Sequence, residues 1–192
     1  MYSIKPRVCN ESAVHRETYL ETRLRQPIFI YRQSVDVTMS PDLDKFRFQT
    51  PASITMIGSS KSGKSTYIRK LLRYRREMFD KEFDVVYYVF VFHQSWFAQI
   101  NGVNFTKEIP QNLDPERNSL IIFDDFLANR SKLKDICEYF IGAAHHYNAS
   151  VIFITQNMFI QDSYFRTISL NSSALLIFRS VRIADQLQVL SR

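Results

Sequence analysis

Nine residues, GSSKSGKST at 58–66, constrain this chain more than any other stretch, because they have a use in only one local fold. Gly58 and Gly63 bracket four residues and are followed by Lys64 and Ser65, the spacing G-x-x-x-x-G-K-[ST]. Such a loop turns its backbone N–H groups inward around an anion, and glycine supplies the backbone freedom and close approach this requires. The flanks fit. SITMI, 53–57, is an apolar run of strand length. Beyond the loop, Tyr67, Ile68, Leu71, Leu72, Met78 and Phe79 recur at helical spacing, with Arg69, Lys70, Arg73 and Arg76 mostly on the other side. The pattern predicts a strand over 53–57, a phosphate loop, and a helix over 64–79.

A helix that starts at Lys64 adds its N-terminal dipole to the anion site. Gly58, Ser59, Ser60, Lys61, Ser62, Gly63, Lys64, Ser65 and Thr66 are therefore the candidate ATP-binding residues. Lys64 is expected to reach the β- and γ-phosphates, and the Ser65 hydroxyl to ligate Mg²⁺.

The run SLIIFDDF, 119–126, sets Asp124 and Asp125 directly after apolar residues. The C-terminal ends of strands are where ligands bind in α/β sheets, so both carboxylates are expected to emerge beside the phosphate loop. Asp124 is the candidate Mg²⁺ ligand, and Asp125 the group that orients or deprotonates an attacking water. A second strand, VIFIT at 151–155, ends in Thr155-Gln156-Asn157. The Gln156 amide is placed to bond a γ-phosphate or the lytic water and so to register which nucleotide is present.

With 192 residues, 45% hydrophobic and 14% aromatic, the chain has enough apolar side chain for the core of one domain and is not a disordered tail. Glycine is scarce: two of its four copies sit in the phosphate loop. Cys9 and Cys137 are too few for a disulfide framework, which argues for reduced thiols and an intracellular protein. The longest apolar run, VVYYVFVF at 85–92, is strand-sized, so a soluble protein with no membrane partner is expected. The net charge is +6, and seven basic residues with no acidic one fall between Lys61 and Arg76. Two readings stay open there: a surface for a polyanion such as DNA, or a solvated helix face beside a nucleotide site.

From residue 52 the rhythm is strand, helix, strand, helix, which predicts an α/β three-layer sandwich on a mainly parallel central sheet. Strands are expected at 53–57, 84–92, 119–124, 150–155 and 174–178, and helices at 64–79, 131–146 and 182–191. The helix at 131–146 carries Leu133, Ile136, Cys137, Phe140, Ile141 and Ala144 on one stripe. Residues 27–39 and 45–50 alternate as flanking strands do, 11–25 can form a short helix, and 110–118 is a surface loop. His145 and His146 are adjacent, hence on different sides of a helix, and have no partner at metal-ligand spacing. Phe92, Trp96 and Phe97 are expected to be core or loop anchors in preference to base-stacking platforms.

The order GSSKSGKST, IIFDD, FITQN and RTISLNSSALLIFRSVRIADQL (166–187) resembles the poxvirus-type genome-packaging ATPases of the FtsK/HerA superfamily, whose relatives occur in large DNA viruses, virophages and Polinton transposons. The likeness spans residues 46–192, with 1–45 an N-terminal arm and flanking strand. It implies the ASCE-type P-loop sheet, in which an additional strand separates the phosphate-loop strand from the strand carrying the Asp pair. It also implies a homo-oligomeric ring that hydrolyses ATP to drive double-stranded DNA into a capsid, with capsid or other virion proteins as partners, in the host cytoplasm or nucleus or with the virion. Two features depart from that pattern. Asp125 stands where many ASCE enzymes carry Glu, and the chain stops at Arg192 inside an amphipathic stretch, Ile183, Leu187 and Leu190, as a truncated gene product would. No arginine within 58–157 is placed to neutralise the transferring phosphoryl group. Arg166, Arg179 and Arg182 are the candidates to serve a neighbouring subunit's site. Rival readings are a P-loop nucleotide kinase, which transfers the γ-phosphate to a small acceptor, and a nucleotide switch that does not hydrolyse.

Overall fold

SITMI, VVYYVF, SLIIFD, ASVIFIT and ALLIF are apolar on both sides of the pleat, so each is stable only within a sheet covered on both faces. The structure, a computed structural model, describes residues 27–31, 47–126, 130–157 and 162–178. Its strands are β1 (Pro27–Tyr31), β2 (Ser53–Ile57), β3 (Val85–Phe90), β4 (Asn104–Thr106), β5 (Ser119–Asp124), β6 (Ala149–Thr155) and β7 (Ala174–Phe178). They form one sheet in the order β1-β7-β2-β6-β5-β3-β4. All pairings are parallel except that of β1, which runs antiparallel to β7 at one edge. β6 therefore lies between β2 and β5, as expected of the ASCE arrangement.

Helices cover both faces. α1 (Lys64–Arg73) packs Ile68, Leu71 and Leu72 against Ile54 and Met56 of β2, Leu120 and Ile122 of β5 and Ile152 and Ile154 of β6. On the opposite face, α3 (Arg130–His146) and α4 (Ser163–Leu170) bring Leu133, Ile136, Cys137, Phe140, Phe165 and Ile168 against Ile121, Phe123, Val151 and Phe153. Successive strand residues alternate between these two clusters, as the two-residue repeat of a strand requires.

Several boundaries differ from the sequence reading. The helix expected over 64–79 ends at Arg73 and resumes as a single turn, α2 (Arg75–Met78), because Tyr74 leaves helical geometry and the Arg75 Nη1 donates to the Leu72 carbonyl at 2.6 Å. Of the strand expected over 45–50, the described residues 47–50 contribute only a bridge from Phe48 to Phe79; Thr50 is tied instead to Asp80, and Pro51 has no N–H for a ladder. β3 is shorter than expected, since the chain turns after Phe90 into a 3₁₀ segment, Ser95–Gln99. β4 has three residues, too few for periodicity to reveal. α4 is short and opens on Asp162, whose Oδ1 accepts from Tyr164 N and Phe165 N, a cap that identifies it. Ile141 is 53% exposed, because Leu133, Ile136, Cys137 and Phe140 fill the buried face and the next position falls past its edge. Trp96 and Phe97 are buried, as expected, but Phe92 is 74% exposed. The helix expected at 182–191 and the one at 11–25 lie outside the described residues.

Candidate active site

The phosphate loop leaves β2 at Ile57, and the ladder carries it one step further, with Gly58 N donating to Thr155 O at 3.1 Å. Gly58 is required by space: a Cβ there would stand 2.5 Å from Ser62 Oγ and 2.7 Å from Phe178 Cβ. Gly63 is required by conformation, at φ 106, just before the first residue of α1. Lys61 takes the left-handed region too, at φ 62. The Lys64 ammonium donates to the carbonyls of Gly58 and, at 2.9 Å, Ser59. Burial lowers its pKa, against the opposing pull of Asp124 and Asp125, which places all three charges in one field.

The two carboxylates reach that field by different routes. Asp124 is the last residue of β5 and follows Leu120 and Ile122 on the α1 face. Strand alternation would send Asp125 after Phe123 to the opposite face. Instead Asp125 has φ 63, an uncommon conformation that Asp tolerates better than most residues, and both carboxylates line one cleft. Ser60, Lys61, Lys64 and Ser65 line it from the loop, Ile154, Thr155 and Gln156 from β6, and Phe92 and Gln94 from beyond β3. Gln156 Nε2 donates to Asp125 Oδ2 at 2.9 Å.

Asp124 Oδ2 accepts two hydrogen bonds, from Tyr88 Oη at 2.8 Å and from Gln94 Nε2 at 3.0 Å. Burial raises the Asp124 pKa; the Tyr88 bond opposes this most, Asp125 adds to the rise, and Lys64 and Gln94 counter it. The same burial, with the adjoining carboxylate, pushes the Tyr88 phenol far up and keeps it a donor. Sequence reasoning missed Tyr88 and Gln94. The signal it had was position only, since both belong to the strand and turn beside the Asp pair.

The loop residues and Lys64, Ser65, Asp124, Asp125 and Gln156 thus come together. Arg166 does not join them: it is exposed on α4 and is not among the residues lining the cleft. Arg179 and Arg182 lie outside the described residues. On the basic helix, Lys70, Arg73 and Arg76 are exposed, Arg76 lies 3.3 Å from Glu82, and Arg69 donates to Gln99 and lies over Trp96. No helix among the described residues is long and apolar enough to cross a membrane, and none of their His, Cys, Asp and Glu side chains gather in threes around a metal-sized space.

Hard oxygen donors, a serine hydroxyl and a carboxylate, suit Mg²⁺. The Ser62 hydroxyl, buried without a hydrogen-bond partner among the described residues, lies against Gly58 and leaves no room for a side chain there. The residues fit a magnesium nucleotide.

Together the strand order and the phosphate loop define an ASCE-type P-loop α/β domain. No protein-family model matches the chain, and no curated protein matches it in sequence. Among solved structures it is similar to "The cytoplasmic domain of EssC", with 16% identity and a TM-score of 0.44 over 74% of this chain. It spans 34% of the length of that structure. The fold class rests on the strand order and the loop themselves.

Proposed function

We propose that the protein is an ATPase motor acting on double-stranded DNA, assembled as a homo-oligomeric ring that packages a viral genome into its capsid. One observation carries the ATPase reading: a phosphate loop with its lysine faces two adjacent carboxylates across one cleft, with a strand-end amide on the second of them. The DNA-packaging reading draws on the order of motifs along the sequence and on the exposed basic residues of α1 and α2.

In this reading the loop amides and Lys64 bind the phosphates and stabilise the charge that develops on them. Ser65 and Asp124 would hold Mg²⁺, which would supply positive charge to offset that of the phosphates. Asp125 accepts the proton of the attacking water, and Gln156 sets the orientation of that carboxylate. Arg166, Arg179 or Arg182 of a neighbouring subunit completes the charge stabilisation.

Phosphate release measured with and without double-stranded DNA tests the motor. Turnover that rises with DNA and needs no other acceptor supports it. Phosphate transfer to a nucleoside or nucleotide acceptor establishes the kinase instead, and tight ATP binding without turnover, DNA present, establishes the switch.

A further inference from the structure

A carboxylate that binds a metal has two oxygens and needs only one of them for the ion. At Asp124, Oδ2 is engaged twice, by Tyr88 Oη at 2.8 Å and Gln94 Nε2 at 3.0 Å, while Oδ1 carries no hydrogen bond among the described residues. The two donors reach it from different directions. Tyr88 lies in β3 opposite Ile122, so its ring spans the diagonal to a residue two positions along the neighbouring strand. Gln94 comes from the turn after β3, where the backbone is not held by the sheet.

An amide can present either its N–H₂ or its carbonyl, and only the first suits a carboxylate. Trp96 decides which. Its indole N–H donates to Gln94 Oε1 at 2.6 Å, so the carbonyl of Gln94 is occupied and the N–H₂ is turned to Asp124. An indole is a donor only, so this orientation has no alternative while Trp96 stays in place. Trp96 is itself buried, edge-on to Tyr88 with ring centroids 5.5 Å apart and to Phe97 at 4.7 Å. Arg69 of α1 stands over its ring at 5.8 Å and donates to Gln99. The helix that begins at the phosphate loop therefore clamps the turn that orients the carboxylate.

We propose that Tyr88 and Gln94 are positioning residues for the metal, fixing Asp124 through Oδ2 so that Oδ1 is presented to the ion, with Trp96 setting the Gln94 amide. The inference rests on the reading of Asp124 as a Mg²⁺ ligand. Removing such an outer partner of a metal ligand commonly weakens metal binding by about 10- to 100-fold.

Mn²⁺ is the probe, titrated in the presence of saturating ADP and followed by the loss of its free-ion paramagnetic resonance signal. Tyr88→Phe keeps the ring and deletes one donor, and Gln94→Ala deletes the other; each should raise the Mn²⁺ dissociation constant about 10- to 100-fold. ADP affinity measured in EDTA should stay at the wild-type value. Gln94→Met keeps the length and bulk of the side chain but removes the donor, so it should weaken Mn²⁺ as much as Gln94→Ala, whereas a packing role would make it the milder change. Trp96→Phe should give a smaller loss of the same kind. Unaltered Mn²⁺ affinity in folded Tyr88→Phe and Gln94→Met proteins overturns the proposal. Mn²⁺ bound as tightly by Asp124→Asn as by the wild type, or not bound by the wild type at all, overturns the metal reading beneath it, and the two failures are thereby told apart.

Discussion

Gln156 and Asp125 hold each other at the adjoining ends of β6 and β5, amide to carboxylate, at 2.9 Å. Because Asp125 sits at a positive φ, the strand alone does not aim its carboxylate; the amide does. Asp125→Asn should leave nucleotide binding intact and lower single-turnover phosphate release by about 10² to 10⁴. Gln156→Ala should lower the same rate less, with affinity unchanged. The double variant should match Asp125→Asn alone, since the amide acts only through that carboxylate. Losses that simply add would show that Gln156 works elsewhere in the cleft.

Lys64 lines the cleft with its ammonium tethered between the Gly58 and Ser59 carbonyls, and in the ATPase reading it meets the phosphates. Lys64→Ala should lower steady-state phosphate release by about 10² to 10³, the usual loss when a charge aimed at a transition state is deleted. Thermal unfolding of the variant, measured alongside, should show a folded protein. Normal turnover would remove the phosphate-loop assignment.

The burial that raises the Asp124 pKa above 3.8 has a signature in stability. Between the unfolded and the folded pKa the native state holds more protons than the unfolded one, so stability falls as pH rises through that window. Above it, the buried charge is a standing cost in the absence of metal. Asp124→Asn keeps an oxygen for Tyr88 and Gln94 and removes the charge. Its melting temperature in EDTA should exceed that of the wild type at pH 7, and the gap should close as pH drops below the window. The same variant should need more Mg²⁺ for turnover. A melting temperature below wild type at neutral pH would contradict this account of the carboxylate.

Among the described residues, those lining the cleft include lysines but no arginine. An arginine supplied by a second subunit contributes about 10³ to 10⁵ in rate in enzymes that use one. Mixing Lys64→Ala with Arg166→Ala, Arg179→Ala or Arg182→Ala subunits tests each candidate. Lys64→Ala and the variant of the arginine that acts should each be inactive alone, and that pair should regain activity where an intact loop meets an intact arginine. Turnover constant per subunit down to monomeric dilution would refute a shared site.

The phosphate loop was legible because its chemistry demands residue types at fixed spacing, and Asp124 and Asp125 only with that loop upstream, since a carboxylate pair ending an apolar strand is by itself more readily a solvated turn. The mainly parallel sheet followed from the alternation of strands and helices, whereas the strand between β2 and β5 was expected from the family likeness alone. Tyr88 and Gln94 were not legible, since their role depends on which strands become neighbours and on a diagonal reach across them. Nor was the turn at Asp125, since sequence spacing fixes position along a strand and not the dihedral angle that follows it. The break at Tyr74 and the start of α4 were set by single capping contacts, from Arg75 and Asp162, that periodicity does not register.

The position of β2 has a consequence for how the molecule comes into being. Its neighbours are β6 and β7, and Ser53 N finds its partner, Ser173 Oγ, 120 residues later. A nascent chain that has just emitted the phosphate loop has nothing to brace it, and pairings this distant form slowly because loop closure precedes any return from contact. In the ATPase reading, nucleotide capture should therefore wait until residues through β7 have left the ribosome. ATP added to stalled chains of graded length should be retained only once that last parallel strand is free to dock.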